Sequence, residues 1–443
     1  MKNVVAIVAA MLVGTAAALA EGYQVNTLSA RQNGMGHTGT AQKLGAESMI
    51  FNPAGLGYLD QTIEFSGSVT AIFAHASATT PDGKKYLTDN TPSTPMAFNL
   101  GMNVYDNFKA GISFYTPYGS GINWGMNWPG AVLSQKVSLK AFTVQPTLAW
   151  RPIKNLSIGV GAMVTWGTVD LYKGLVPNDS FNALTGMLGL PSISDTPASV
   201  NLTGKAAVTC GVHVGLMWDI CPKVTVGASF RQEMKLKVKK GTASLIYANE
   251  IARTALQNQL NVLNEANFAA EMPAPWVFRV GVSYRPVKKL ELAFDAQLTG
   301  WSAYKTLEID FLSDALANYD QHIVKDYRNS WTFGVGANYD LTKRFDVRLG
   351  LMVDTTPVNK KHYNPETPGM TKISPSVGFS FSPIKNFSID ASLLYVAGLG
   401  SDNAECEYTD LLRAQMGMPA DRTFTADYHV HAWNPSIGLT LKF

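Results

Sequence analysis

Trp433-Asn434-Pro435-Ser436-Ile437-Gly438-Leu439-Thr440-Leu441-Lys442-Phe443 is the stretch whose reading decides the fold. Its odd positions are Trp, Pro, Ile, Leu, Leu and Phe, and its even positions are Asn, Ser, Gly, Thr and Lys, a side-chain period of two. One face of such a strand is apolar and the other is wet. In a soluble protein this is a half-buried strand. At the end of an exported chain, a terminal aromatic on an apolar-out, polar-in strand is expected to close the wall of an outer-membrane β-barrel.

The rest of the chain agrees. Lys2, an apolar run over residues 4–13 and Ala18-Leu19-Ala20 read as a secretory signal over residues 1–20, with a mature start at Glu21. The run is shorter than the ~20 residues a membrane-spanning helix needs. Hydrophobic residues make up 46% of the 443 residues and charged residues 16%, too apolar for a solvent-covered surface yet too evenly spread for helical spans. A formal net charge of +3 points to no nucleic-acid partner. Cys210, Cys221 and Cys406 have no metal-binding spacing, so neither metal nor cofactor is expected, and at most one disulfide can form.

From residue 61 onward, two-period strands are joined by alternately short and long connections. Six short turns, among them Arg151-Pro152-Ile153-Lys154-Asn155 and Ser382-Pro383-Ile384-Lys385-Asn386, are built from Pro, Asn, Asp and Lys. Seven long polar stretches lie between them. Thirteen connections join fourteen strands, and short turns on one side with long loops on the other are the organisation of a bacterial outer-membrane barrel. The faces agree: Leu290, Leu292, Phe294, Ala296 and Leu298 alternate with Glu291, Ala293, Asp295, Gln297 and Thr299. Arg348 is expected inside, because facing lipid at mid-depth costs about 2–4 kcal/mol for Arg or Lys. Trp166, Trp276, Tyr284, Trp331, Tyr339 and Trp433 fall near strand ends, where interfacial girdles belong. The expected fold is all-β: a 14-stranded antiparallel transmembrane barrel over residues 61–443. Wall side chains alone do not fill so wide a barrel. Residues 21–60, small and rich in Gly and Ala, are the expected plug.

Several motifs stand together in one order along the chain. They are Gly22-Tyr23-Gln24-Val25-Asn26, Asn52-Pro53-Ala54, Tyr118-Gly119-Ser120-Gly121, Trp128-Pro129-Gly130, Trp276 to Arg285, Gln297 to Trp301 and Arg348 to Pro357. In these the chain resembles the FadL/TodX (OmpP1) family of outer-membrane transporters of long-chain fatty acids and other hydrophobic compounds. The resemblance implies a monomeric barrel closed by an N-terminal hatch and no enzymatic activity. It also implies capture of a hydrophobic small molecule among the extracellular loops, transfer to a lumenal pocket that Tyr23 helps form, and lateral release into the membrane where the third strand is kinked. Asn52, Pro53 and Ala54 take the structural or gating role of the hatch motif. Gly111 and Pro117, in a third strand read over residues 108–117, are the candidates for a departure from regular pairing. For a carboxylate head group the lumenal cations Arg279 and Arg348 come first, then Lys109, Arg231 and Lys442, since a guanidinium pairs both oxygens. The neighbouring Asp295, Asp346, Asp354 and Asp390 offer the alternative that these cations only hold the plug. The surrounding outer-membrane lipid and lipopolysaccharide are the remaining partners expected.

After Gly241, Leu245 to Tyr247 and Ile251 to Leu263 have roughly helical spacing, read as an amphipathic loop helix facing a groove or as a self-packed cap. Two other functions compete with uptake. A lipid-hydrolysing barrel enzyme needs a Ser/His/acid set, and His213, His322, His362, His429 and His431 have no such partners at a recognisable spacing. An adhesin or structural barrel would act through its loops alone.

Overall fold

The structure, a computed structural model, describes residues 22–443, so the signal sequence and Glu21 lie outside the described residues. Fourteen wall strands form one antiparallel ring. In chain order they are Ile63–Thr70 with its continuation Phe73–Thr79, Met96–Tyr105, Phe108–Asn123, Lys136–Ile153, Leu156–Gly174 and Ala198–Cys221, then Val224–Arg231 with Met234–Tyr247 and Asn267–Ala274 with Val277–Val287. Leu290–Thr299 with Thr306–Phe311, Ser330–Asp340, Phe345–Asp354, Lys372–Ile384, Phe387–Gly398 and Asp421–Lys442 complete the ring. The last strand pairs with the first from Glu64 opposite Lys442 to Thr70 opposite Ser436, which closes the ring. Along it Trp433, Pro435, Ile437 and Leu439 face outward while Asn434, Ser436 and Gly438 are buried in the lumen.

The outer surface carries the two expected aromatic belts. Phe142 stacks on Trp166 and Phe230 on Trp276 at the extracellular edge, and Phe108 stacks on Trp150 at the periplasmic edge. Several strands are much longer than the ~9–11 residues a span needs. The sixth has 24 residues and the fourteenth has 22, so the wall continues above the outer belt. The long loops are correspondingly shorter than their polar sequences suggest. The third strand runs to Asn123 rather than ending at Pro117, and Leu245 to Tyr247 finish the seventh strand instead of starting a helix. Cys210, Cys221 and Cys406 are free thiols.

Residues 22–60 fold inside the ring. They form a short helix, Ala30–Asn33, capped by the Ser29 side chain, and two 3-10 segments, Gly45–Ile50 and Pro53–Tyr58. Because Gly, Ala and Ser leave little side chain, the hatch backbone lies directly on the inner wall. At Gly36, φ is +64° and an added Cβ would sit 2.5 Å from the Val335 carbonyl oxygen and 2.6 Å from that of Leu351, so only glycine fits.

Candidate functional site

Wall and hatch are joined by hydrogen bonds at many places around the ring. Asp295 accepts from Gly39 N, Thr40 N and Thr40 Oγ1 at 2.8, 2.8 and 2.7 Å. Gln145 donates to the Met49 carbonyl at 2.9 Å, Ser229 to that of Phe51 at 2.9 Å and Ser157 to that of Ala54 at 2.6 Å. Asn33 Nδ2 donates to Thr70 Oγ1 at 3.1 Å and to Ser436 Oγ at 2.8 Å, bridging the first and last strands at their seam. In the Asn-Pro-Ala motif, Asn52 Oδ1 caps the following segment by accepting from Ala54 N, while Nδ2 donates to the Thr40 and Leu216 carbonyls at 2.7 and 3.0 Å. Pro53 and Ala54 press so closely on Gly159 that a Cβ there would lie 2.3 Å from the Pro53 carbonyl carbon. The motif therefore ties hatch to hatch and hatch to wall.

The second and third strands part company near the outer belt. Their pairing runs from Tyr105 opposite Phe108 to Ala97 opposite Tyr115 and stops. On its other side the third strand shifts register between Tyr115 and Tyr118, across Pro117, which has no N–H to give. The freed edge is taken by the N-terminus: Val25 N donates to the Pro117 carbonyl at 2.9 Å, Gly119 N donates to the Tyr23 carbonyl at 2.8 Å, and Gln24 forms a β-bridge with Tyr118. Gly111 lies within the regular ladder, opposite Gly101, and is small because Met49 of the hatch approaches its Cα, so the departure is at Pro117 alone. Tyr23 is fully buried, edge-on to Trp301 at 4.8 Å and to Tyr304 at 5.8 Å, with its hydroxyl donating to the Pro273 carbonyl.

Above Tyr23, in the extracellular half of the lumen, lies a partly open apolar cavity whose walls include Leu171, Leu202, Leu236, Phe268, Met272 and Ile309. Near Tyr23 and Tyr118 is a cluster of buried cations. Arg231 lies opposite both His213 and Val277 in the wall, and its guanidinium carbon is 5.4 Å from the Tyr118 ring centre. Its Nε and Nη2 have no hydrogen-bond partner among the described residues. Arg279 donates from Nε to Gln297 at 2.7 Å and lies 3.3 Å from His37 Nε2. Burial first, then the charges of Arg279 and Arg231, hold the His37 imidazole far below its usual range, so it stays neutral. His37 stands in the glycine-rich run from Asn33 to Gly39 and His213 bears only on a hydrolytic set, so spacing does not point either to this cluster, whereas Arg231 follows Gly227 and Ser229 in inward parity.

The other ranked cations are engaged elsewhere. Arg348 is buried among Asp390, which accepts from Nη1 at 2.8 Å, Asn338, which accepts from Nε at 2.9 Å, and Ser380. Lys109 donates to Asn103 and to turn carbonyls at 105 and 106, and Lys442 lies 3.9 Å from Glu64. The loop helix is Glu250–Leu260, and its apolar face, Ala252, Leu256 and Leu260, packs with Phe181 and Leu412 of two other loop helices. That arrangement is the self-packed cap, not a face open to a groove.

A family model described as "Outer membrane protein transport protein (OMPP1/FadL/TodX)" matches residues 11–443. Outer membrane protein P1 of Haemophilus influenzae is 23% identical over 425 residues, 88% of each chain. The long-chain fatty acid transport protein of Escherichia coli K12 is 20% identical over 427 residues, covering 90% of this chain and 92% of its own length. Among solved structures, a Pseudomonas aeruginosa FadL homologue superposes with a TM-score of 0.79 at 19% identity, over 95% of this chain and all of the other. The toluene transporter TodX of Pseudomonas putida gives 0.70 at 15% identity, over 96% of this chain and 99% of its own.

Proposed function

Since the chain belongs to the OMPP1/FadL/TodX family of outer-membrane transport proteins, which take up hydrophobic compounds, we propose that its cargo is a long-chain fatty acid or a similar amphiphile bearing a carboxylate. The acyl chain occupies the apolar cavity and the head group sits between Arg231 and Arg279. The observation that supports this reading most is the buried Arg231 guanidinium with unpartnered nitrogens. Two buried guanidinium nitrogens without a partner are costly, and a carboxylate satisfies both with parallel hydrogen bonds. Arg348, held by Asp390, anchors the wall beneath the hatch.

Release is sideways. Where the second strand ends, Tyr23 to Val25 fill the gap along the third strand with only a few backbone hydrogen bonds, and their withdrawal opens the lumen to lipid. The cargo then never crosses water, which would cost roughly 25 cal/mol per Å² of its apolar surface. Transfer is passive, and the barrel acts as a monomer. Asn52, Pro53 and Ala54 hold the hatch in register while the N-terminus moves.

Oleate and oleyl alcohol binding to the detergent-purified barrel test the head-group assignment. With Arg231→Gln and Arg279→Gln together, oleate affinity should fall more than about tenfold while the alcohol changes little, the range of a charge-assisted pair. Equal losses for both would show that the arginines do not read the carboxylate. A neutral hydrocarbon cargo, which the wholly apolar cavity would also suit, would be unaffected.

A further inference from the structure

We propose that the outward faces of the fourth to seventh wall strands form a docking band for the phosphates of the glycolipid in the outer leaflet, lipopolysaccharide. Below the outer belt these strands present lipid-facing side chains: Val226 and Phe230 on the seventh, Val212 and Val214 on the sixth. Above it the same outward positions are lysines. On the seventh strand Met234, Leu236 and Val238 point into the lumen, while Lys235, Lys237, Lys239 and Lys240 are exposed outside. On the sixth, Lys205 lies opposite Thr168 of the fifth, and Thr168 lies opposite Lys140 of the fourth. Lys136, four residues further out on the fourth, rests over the Tyr172 ring at 5.4 Å.

The band thus sits immediately above Phe142, Trp166 and Phe230, the level at which headgroups begin. A lysine facing hydrocarbon is strongly disfavoured at mid-depth and nearly free at the interface, so this height is the one an outward lysine row tolerates. The facing acids are fewer. Glu271 receives Lys235 and Lys237 at 2.7 Å each, and Asp170, Glu308 and Asp310 are the other carboxylates on the neighbouring strands. Seven lysines against four carboxylates leave a net positive sector. Two lysines sharing one carboxylate remain half compensated, and an anionic saccharolipid is the occupant that a cationic, laterally facing patch at headgroup height complements.

The test is binding of lipid A, the bisphosphorylated anchor of that glycolipid, to the whole barrel in nanodiscs, read by native mass spectrometry. In Lys140→Gln, Lys205→Gln, Lys237→Gln and Lys239→Gln combined, affinity should drop at least about tenfold. Lipid A stripped of both phosphates should bind the unaltered protein as weakly. A second variant, Lys288, Lys289, Lys343 and Lys385 each to Gln, removes the same charge from the periplasmic turns and should retain binding. The proposal is overturned if the band variant, still heat-modifiable on gels and therefore folded, binds within twofold of the parent. It is equally overturned if dephosphorylated lipid A binds as well as the intact form, or if the periplasmic variant loses as much as the band variant.

Discussion

Glu47, in the hatch, is a carboxyl that burial pushes up to about 7, against the hydrogen bond from Ser29 and the charge of Arg31 and with further help from Asp390 and Glu64. The docked hatch therefore binds a proton that a released one gives up over the window between about 4.5 and about 7. Stability falls with pH wherever the docked state holds more protons, so this group weakens docking progressively across that window, by an amount on the order of 3 kcal/mol at its upper end. Glu47→Gln should flatten the loss, measured as protease protection of residues 22–60 from pH 4 to 8; an unchanged slope would assign it to other groups. Arg348 makes a different demand. Arg348→Met leaves the buried Asp390 without its ion-pair partner, which costs about 3–5 kcal/mol, and should lower the temperature of barrel unfolding on gels. Because this residue anchors the wall, oleate and oleyl alcohol should lose affinity together, unlike the Arg231 and Arg279 pair.

The decisive element is the N-terminal strand fragment that completes the third wall strand. Gln24 and Tyr118 occupy a bridge position whose Cα spacing suits a disulfide. Gln24→Cys with Tyr118→Cys, oxidised, should abolish uptake and regain it on reduction, and uptake that persists when the bond is shown to be formed would exclude this gap as the exit. The loop cap makes an independent claim: Leu256→Ala removes a buried side chain between three helices, costs about 2–5 kcal/mol locally, and should expose residues 250–260 to protease with the wall intact. Strand existence, faces and turns were legible because period two and turn chemistry are local. The freed edge at Pro117 was only half legible. A proline marks a missing donor, but nothing local says that a segment more than ninety residues upstream supplies the partner. The loop helix misled in its bounds for a related reason: Leu245 to Tyr247 are apolar whether they continue a strand or begin a helix, and the sixth strand, distant in sequence, decides it.

For the whole barrel, the plug is the difference between a selective conduit and a hole. Removing residues 22–60 should yield a folded ring lined by Gln145, Thr147, Gln297 and Asn434 that conducts ions in a planar bilayer, whereas the intact protein stays closed. A plug was legible from composition and position, but its contacts were not. Asp295 could be seen to face inward, yet that it would hold Gly39 and Thr40 required the fold. Among those contacts Asn33 has a consequence for biogenesis. Its amide bridges Thr70 and Ser436, on the strands made first and last, so the plug is stitched into the very junction that seals the cylinder. With hydrogen bonds also reaching strands in between, the plug is matched to the closed ring rather than to any single strand. In the intact chain residues 22–60 thus lie against the first strand and the last alike, so that filling accompanies sealing even though the wall closes without them.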